Sequence, residues 1–214
     1  MRLWLAPAIL VFSLQAANIP RLNQVTRLFD RMWTEYFAAR GESYRPPALV
    51  AFTGKRESPC GKINPGNAYY CEKDNTVYFD EDFLAALRLR VAAETGTTGD
   101  SAPVIAIAHE LGHAVFAQMN HNAPPHSPIQ QLHGYGEEKV ADCLSGALTR
   151  AAAEQRILSP SVLPEAEATM AIIGKLQPRN GHPTWRVRHD SFLSGYRNGV
   201  QACSAISIEK LTNR

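Results

Sequence analysis

Apolar positions follow three regimes along the chain. From Leu3 to Leu14 they run almost unbroken, interrupted only by Pro7 and Ser13. Leu22, Val25, Phe29, Met32, Trp33, Tyr36 and Phe37 then recur at helical spacing, which predicts an amphipathic helix over Pro20–Arg40 ending at Gly41. A short β-prone region follows. Pro46-Pro47 opens a strand over Ala48–Thr53, and Gly54–Gly66 reads as a loop. The runs Ala68–Cys71 and Thr76–Phe79 flank the turn signal Glu72–Asn75 and so predict a hairpin. Helical periodicity then returns over about Glu81–Glu94, with Asp80 or Asp82 as cap. The next helix, from Asp100 or Ser101 to about Asn120, has Pro103 in its first turn. Further helices are expected over Glu137 to about Gln155, Pro164–Leu176 and Thr184–Gly199. Between them lie a linker (Thr95–Asp100), a Pro/Gly-rich surface loop (Asn122–Gly136) and a turn (Pro178–Pro183). The pattern is that of an α+β chain, mostly helical, with a small antiparallel sheet.

The N-terminal regime has a separate meaning. Met1-Arg2, a 12-residue apolar run and the small residues Ala16-Ala17 have the order of a secretory signal. The run is shorter than the roughly 20 residues a membrane-spanning helix needs. Residues 1–17 are therefore expected to be removed, leaving 18–214 as a single domain with no stable membrane span. The expected location is the periplasm or the cell exterior. The four cysteines, Cys60, Cys71, Cys143 and Cys203, fit an oxidising compartment. Cys60 and Cys71 flank one loop and should pair locally, which leaves Cys143 for Cys203. The 214 residues suffice for one sizeable core. Lys+Arg 22 against Asp+Glu 20 gives a net charge of +2, with no basic stripe to suggest nucleic-acid binding.

The chemistry centres on His109-Glu110-Leu111-Gly112-His113. Two histidines four apart share one helix face and can bind a single Zn²⁺. Catalytic zinc keeps three protein ligands and one open position, so a third ligand is required. A long metzincin motif would need glycine and histidine where Phe116 and Met119 stand, so that class is excluded. The following helix offers Glu138 and Asp142 on one face. Glu138 completes a His₂Glu set, and Asp142 can accept the free ring N–H of a ligand histidine, assigned to His109. Glu110 is then the general base that deprotonates the attacking water and returns the proton to the leaving amine. His182, before Pro183, and Arg188, six residues on, are candidates to stabilise the oxyanion, and Tyr135 is a further one.

These residues resemble the gluzincin class of zinc peptidases. CGKINPGNAYYCEKDNTVYFDEDF, AHELGHAVFAQ and EEKVADCLSG resemble the bacterial putative neutral zinc metallopeptidase family, over roughly Pro59–Cys203. GHPTWRVR is similar to the HP…R element of HtpX-type and CAAX-prenyl-protease relatives, whose membrane spans are missing here. The resemblance implies a zincin-like α+β domain with its small sheet packed on the HExxH helix, and one zinc per chain on His109, His113 and Glu138. It implies Glu110 as base, with His182 and Arg188 acting on the transition state. The expected substrate is a peptide or unfolded protein, laid along the exposed edge expected in the Ala68–Phe79 hairpin, with Thr76–Phe79 running above the zinc. The competing reading is an inactive zinc-binding or chaperone-like module, which would have no need of Glu110.

Overall fold

The computed structural model describes residues 21–123, 125–176 and 183–203. The expected signal segment, 1–17, lies outside them. Helix α1 (Leu22–Ala38) comes first, then strands β1 (Ala48–Phe52), β2 (Arg56–Ser58), β3 (Gly61–Ile63), β4 (Ala68–Cys71) and β5 (Thr76–Asp80). Helices α2 (Glu81–Thr95), α3 (Ser101–Asn122), α4 (Tyr135–Glu154), α5 (Val162–Leu176) and α6 (Trp185–Asn198) complete the order, with a 3₁₀ turn at Pro128–Gln131. The architecture is mostly helical α+β, as the periodicity predicts.

The sheet has the order β1-β5-β4. The tight turn at Glu72–Asn75 makes β4 and β5 antiparallel, with Tyr70 opposite Val77. The β1–β5 pair is parallel, with Val50 opposite Tyr78, so the sheet is mixed rather than purely antiparallel. The long connection between β1 and β5 allows the crossover that a parallel pair requires. Every residue of β5 is buried, because both faces of this central strand are covered: Val77 and Phe79 pack in the main core, and Tyr78 packs with Phe52, Ile63 and Cys71. Of the Ala68–Phe79 hairpin expected to offer a sheet edge, β4 is the edge strand, and Thr76–Phe79, expected above the zinc, is the central one. Within the Gly54–Gly66 loop, β2 and β3 form a separate two-stranded ribbon.

Helix α1 packs Phe29, Trp33 and Phe37 into the core, with Phe29 and Trp33 edge-to-face at 6.0 Å between centroids. Asp80 caps α2 by accepting from the Asp82 N–H at 3.1 Å. Helix α3 is buried around most of its circumference from Ser101 to His109, so its apolar residues do not form a single stripe. Its N-terminus is held from outside: the fully buried Glu165 carboxylate of α5 accepts from the Ser101 N–H at 2.7 Å, the Gly99 N–H at 3.2 Å and the Thr97 hydroxyl at 2.6 Å. A carboxylate at the positive end of a helix satisfies donors that the helix itself cannot.

Helices α3, α4 and α6 meet backbone to backbone. A Cβ on Gly112 would lie 2.7 Å from the Ala141 carbonyl oxygen of α4. One on Gly146 would lie 2.0 Å from the Phe192 carbonyl oxygen, and one on Gly195 would lie 1.8 Å from that of Cys143. These glycines set how closely the three helices approach. The Cys143–Cys203 disulfide then ties α4 to the C-terminal end of the described chain, and Cys60–Cys71 ties the loop before β3 to the end of β4. Both pairings are those expected from sequence.

Candidate metal centre

Helix α3 projects His109 and His113 to one side, one turn apart, and the first turns of α4 bring Glu137, Glu138 and Asp142 against them. The two Nε2 atoms lie 3.2 Å apart. His109 Nε2 is 3.4 Å from Glu138 Oε2, and His113 Nε2 is 3.6 Å from Glu138 Oε1. Each outer ring nitrogen faces a carboxylate: His109 Nδ1 is 2.9 Å from Asp142 Oδ1, and His113 Nδ1 is 3.1 Å from Glu137 Oε1. A carboxylate can only accept, so both Nδ1 atoms carry a proton, which leaves each Nε2 as the atom that faces Glu138 and would become the ligand.

Displacing the Nε2 protons would leave two lone pairs and a carboxylate converging on one point, and metal binding releases such protons. That arrangement calls for a cation. Tetrahedral zinc with bonds of about 2.0–2.1 Å separates its ligand atoms by roughly 3.3 Å, close to the distances found. His109, His113 and Glu138 form a possible metal-holding group, with ligand atoms all within 4.8 Å of one another. The electrostatics point the same way. Burial opposes ionisation of Glu138, but hydrogen bonds from both histidines outweigh it and hold the carboxyl far below the usual carboxylate range. Burial would lower His113, yet Glu137 and Glu138 push it up to about 10. The acidic groups thus draw positive charge to this point.

Around the donors stands a second set of contacts. Arg188 of α6 is 2% exposed and grips Asp142 with two groups: Nε lies 3.0 Å from Oδ2 and Nη2 2.8 Å from Oδ1. The same Nη2 is 3.2 Å from each ring nitrogen of His109 and 3.9 Å from Glu138 Oε2. Burial alone would neutralise Asp142, but Arg188 and His109 keep it ionised. Glu110 points across α3 toward the sheet, where its Oε2 accepts the Tyr70 main-chain N–H at 2.9 Å. Burial raises the Glu110 carboxyl above its ordinary value, the direction a general base needs.

A cleft of about 700 Å³ opens above the donors, walled by Tyr69 and Tyr70 of β4, Phe83, and Met170 and Ile173 of α5, with Arg188 at its back. Of the residues expected from sequence, His109, Glu110, His113, Glu138, Asp142 and Arg188 come together here. Tyr135 sits 39% exposed at the start of α4 and is not among the residues lining the cleft. His182 lies outside the described residues. Sequence reasoning missed Glu137 and the Tyr70 amide. Glu137 could have been found, since the second ligand histidine needs an acceptor just as the first does. The amide carries no side-chain signal.

Residues 22–199 match the family described as putative neutral zinc metallopeptidase. An uncharacterized Escherichia coli protein, YpfJ, is 30% identical over 178 residues, 76% of this chain and 58% of its own length. An uncharacterized Mycobacterium tuberculosis protein, Rv2575, is 31% identical over 106 residues, 48% of this chain and 35% of its own length. The chain thus spans little more than half of these relatives at most. No solved structure matches it.

Proposed function

The chain belongs to the putative neutral zinc metallopeptidase family, and on that footing we propose that it is a zinc-dependent endopeptidase in which Glu110 is the general base. The observation that carries this reading is the convergence of His109 Nε2, His113 Nε2 and the Glu138 carboxylate beside a carboxylate that is not part of the donor set. A structural zinc site closes with four protein ligands, whereas a catalytic one leaves a position open. Zinc held by His109, His113 and Glu138 would supply an acidified water and a polarised carbonyl.

The chain's own groups do the rest. Asp142 and Glu137 fix the imidazole tautomers. Glu110 accepts the proton of the attacking water and hands it to the departing amine, so that the amide C–N bond breaks with a neutral leaving group. Arg188 lines the cleft while paired with Asp142, which suits a part in steadying the oxyanion. His182 is proposed for the same step. A peptide or unfolded protein would lie along β4. Tyr70 turns its N–H away from β5, and Ala68, two residues earlier, shares that direction. Ala68 therefore offers outward main-chain groups to an extended chain, while the half-exposed Tyr69 faces the cleft mouth. Loss of the signal segment 1–17 and residence outside the cytoplasm agree with the two disulfides. Among the described residues no helix is long and apolar enough to cross a membrane.

The test is turnover of an unfolded protein by wild type and by Glu110→Gln, with and without a chelator. Wild type should cleave, lose activity with chelator and regain it with zinc. Glu110→Gln should keep one zinc and lose about 10²–10⁴-fold in rate. A zinc-loaded Glu110→Gln as fast as wild type would overturn the mechanism.

A further inference from the structure

The general base of the proposed peptidase is held by main chain. β4 is only four residues long and pairs on one side alone, with β5. Short edge strands open easily, since few hydrogen bonds hold them. Yet the Tyr70 N–H on this strand, 2.9 Å from Glu110 Oε2, occupies one oxygen of the carboxylate. One residue on, Cys71 is fully buried and bonded to Cys60, which lines the same cleft. The bond closes a short loop over β3 and β4, and within that loop the Gly66 N–H donates to Asp80 at 2.7 Å. The metal donors are secured separately, by the contact of Gly112 with α4.

We propose that the Tyr70 amide is the positioning group for Glu110, and that the Cys60–Cys71 disulfide keeps it aimed, so that this bond serves turnover and not metal binding. A donor fixed on one carboxylate oxygen restricts rotation of the side chain and leaves the other oxygen for the proton being transferred. A hydrogen bond to an ionised group is about twice as strong as a neutral one. It orients Glu110 only while β4 stays put. Freed of the disulfide, the strand can retreat from α3, and Glu110 loses its fixed direction while the histidines and Glu138 keep theirs.

The proposal rests on the peptidase reading, but its first test does not need activity. Amide exchange at Tyr70, followed by NMR on the full chain, should be slow in wild type although the N–H points away from β5. It should quicken at least about tenfold in Glu110→Ala and in Cys60→Ser/Cys71→Ser, as loss of a charge-assisted bond requires. In the second test the double serine variant keeps one zinc per chain and its helical circular dichroism, while kcat falls about tenfold to a hundredfold; KM rises beside it where the peptide lies along β4, so the split read is between zinc content and kcat. Tyr70→Pro keeps both disulfides and removes this donor at an edge position where proline is tolerated; it also removes the hydroxyl that donates to Asn75, so Tyr70→Ala, which keeps the N–H, is its control and should retain turnover. Tyr70→Pro should show the same split, and it serves in place of the double serine variant if that one does not fold. Fast exchange at Tyr70 in wild type, exchange indifferent to Glu110→Ala, or wild-type kcat in a folded double serine or Tyr70→Pro variant would overturn the proposal. A wild type without turnover would instead overturn the peptidase reading, and the exchange result would then decide the positioning by itself.

Discussion

Asp142 meets three demands with no solvent to help. It is fully buried, accepts from His109 Nδ1, and answers two groups of Arg188. Removing one partner of a buried ion pair strands the other and costs about 3–5 kcal/mol. Arg188→Met should therefore lower the melting temperature markedly, because it leaves the Asp142 charge without its counter-ion. Asp142→Asn should weaken zinc about 10–100-fold in a chelator competition, since the acceptor that orients His109 is degraded. Glu137→Gln should weaken it less, because the Glu137 side chain is 37% exposed and water can replace its bond to His113. Equal losses at 142 and 137 would contradict this ranking. The His109–Asp142 contact was legible in sequence, because four residues separate Glu138 from Asp142 and a helix stacks them. The grip of Arg188 on Asp142 was not, since it joins α4 to α6 across 46 residues.

At the scale of elements, helices were legible and pairings between strands were not. Periodicity marked α1 to α6 because each carries enough turns to show a repeat. β2 and β3 have three residues each, mostly polar, and leave no such trace. The centrality of β5 had a faint signal in the run Val77-Tyr78-Phe79, since strands covered on both faces read as continuous apolar runs; its parallel partner, β1, lies too far away in sequence to be inferred. The glycine of HELGH carries a meaning that the zinc motif alone does not state. Gly112→Ala would push its methyl against the Ala141 carbonyl and part the two ligand-bearing helices. Its expected signature is a large loss of zinc affinity with helical content intact.

The joint between α5 and α3 has its own pH dependence. Burial works against ionisation of Glu165, but its bonds to Thr97, Ser101 and Ser161 win and depress its pKa below 4.5. A carboxylate depressed in the folded state adds stability that is present above its unfolded pKa and disappears as pH falls through the folded one. Glu165→Gln should thus be less stable than wild type by about 1–3 kcal/mol at neutral pH. The gap should narrow as the pH of the melting experiment drops below about 4.3. A gap constant with pH would show that the charge contributes nothing.

For the whole molecule, the converging donors make the metal a partner in folding. An ion that binds only the folded chain stabilises it by mass action, about 2.7 kcal/mol at a free concentration 100 times its Kd. Melting temperature should rise with free zinc and fall when a chelator is added. A melting temperature indifferent to both would mean that the donor set does not capture the ion. The Cys143–Cys203 bond, with a sequence separation of 60 residues, acts at the same scale. Its removal should cost about 2–5 kcal/mol, read as a lower urea midpoint.

The other disulfide sits where chemistry from outside can reach it, on the wall of the cleft. If turnover needs that bond, the freshly synthesised chain, with four thiols, is a hydrolase that cannot yet hydrolyse. It could gather its ion within the cell that makes it and leave that cell's own unfolded proteins intact. Oxidation would then act as the arming step, and a dithiol reductant could disarm the protein without digesting it. In that sense the redox state of its surroundings would set when the protein bites.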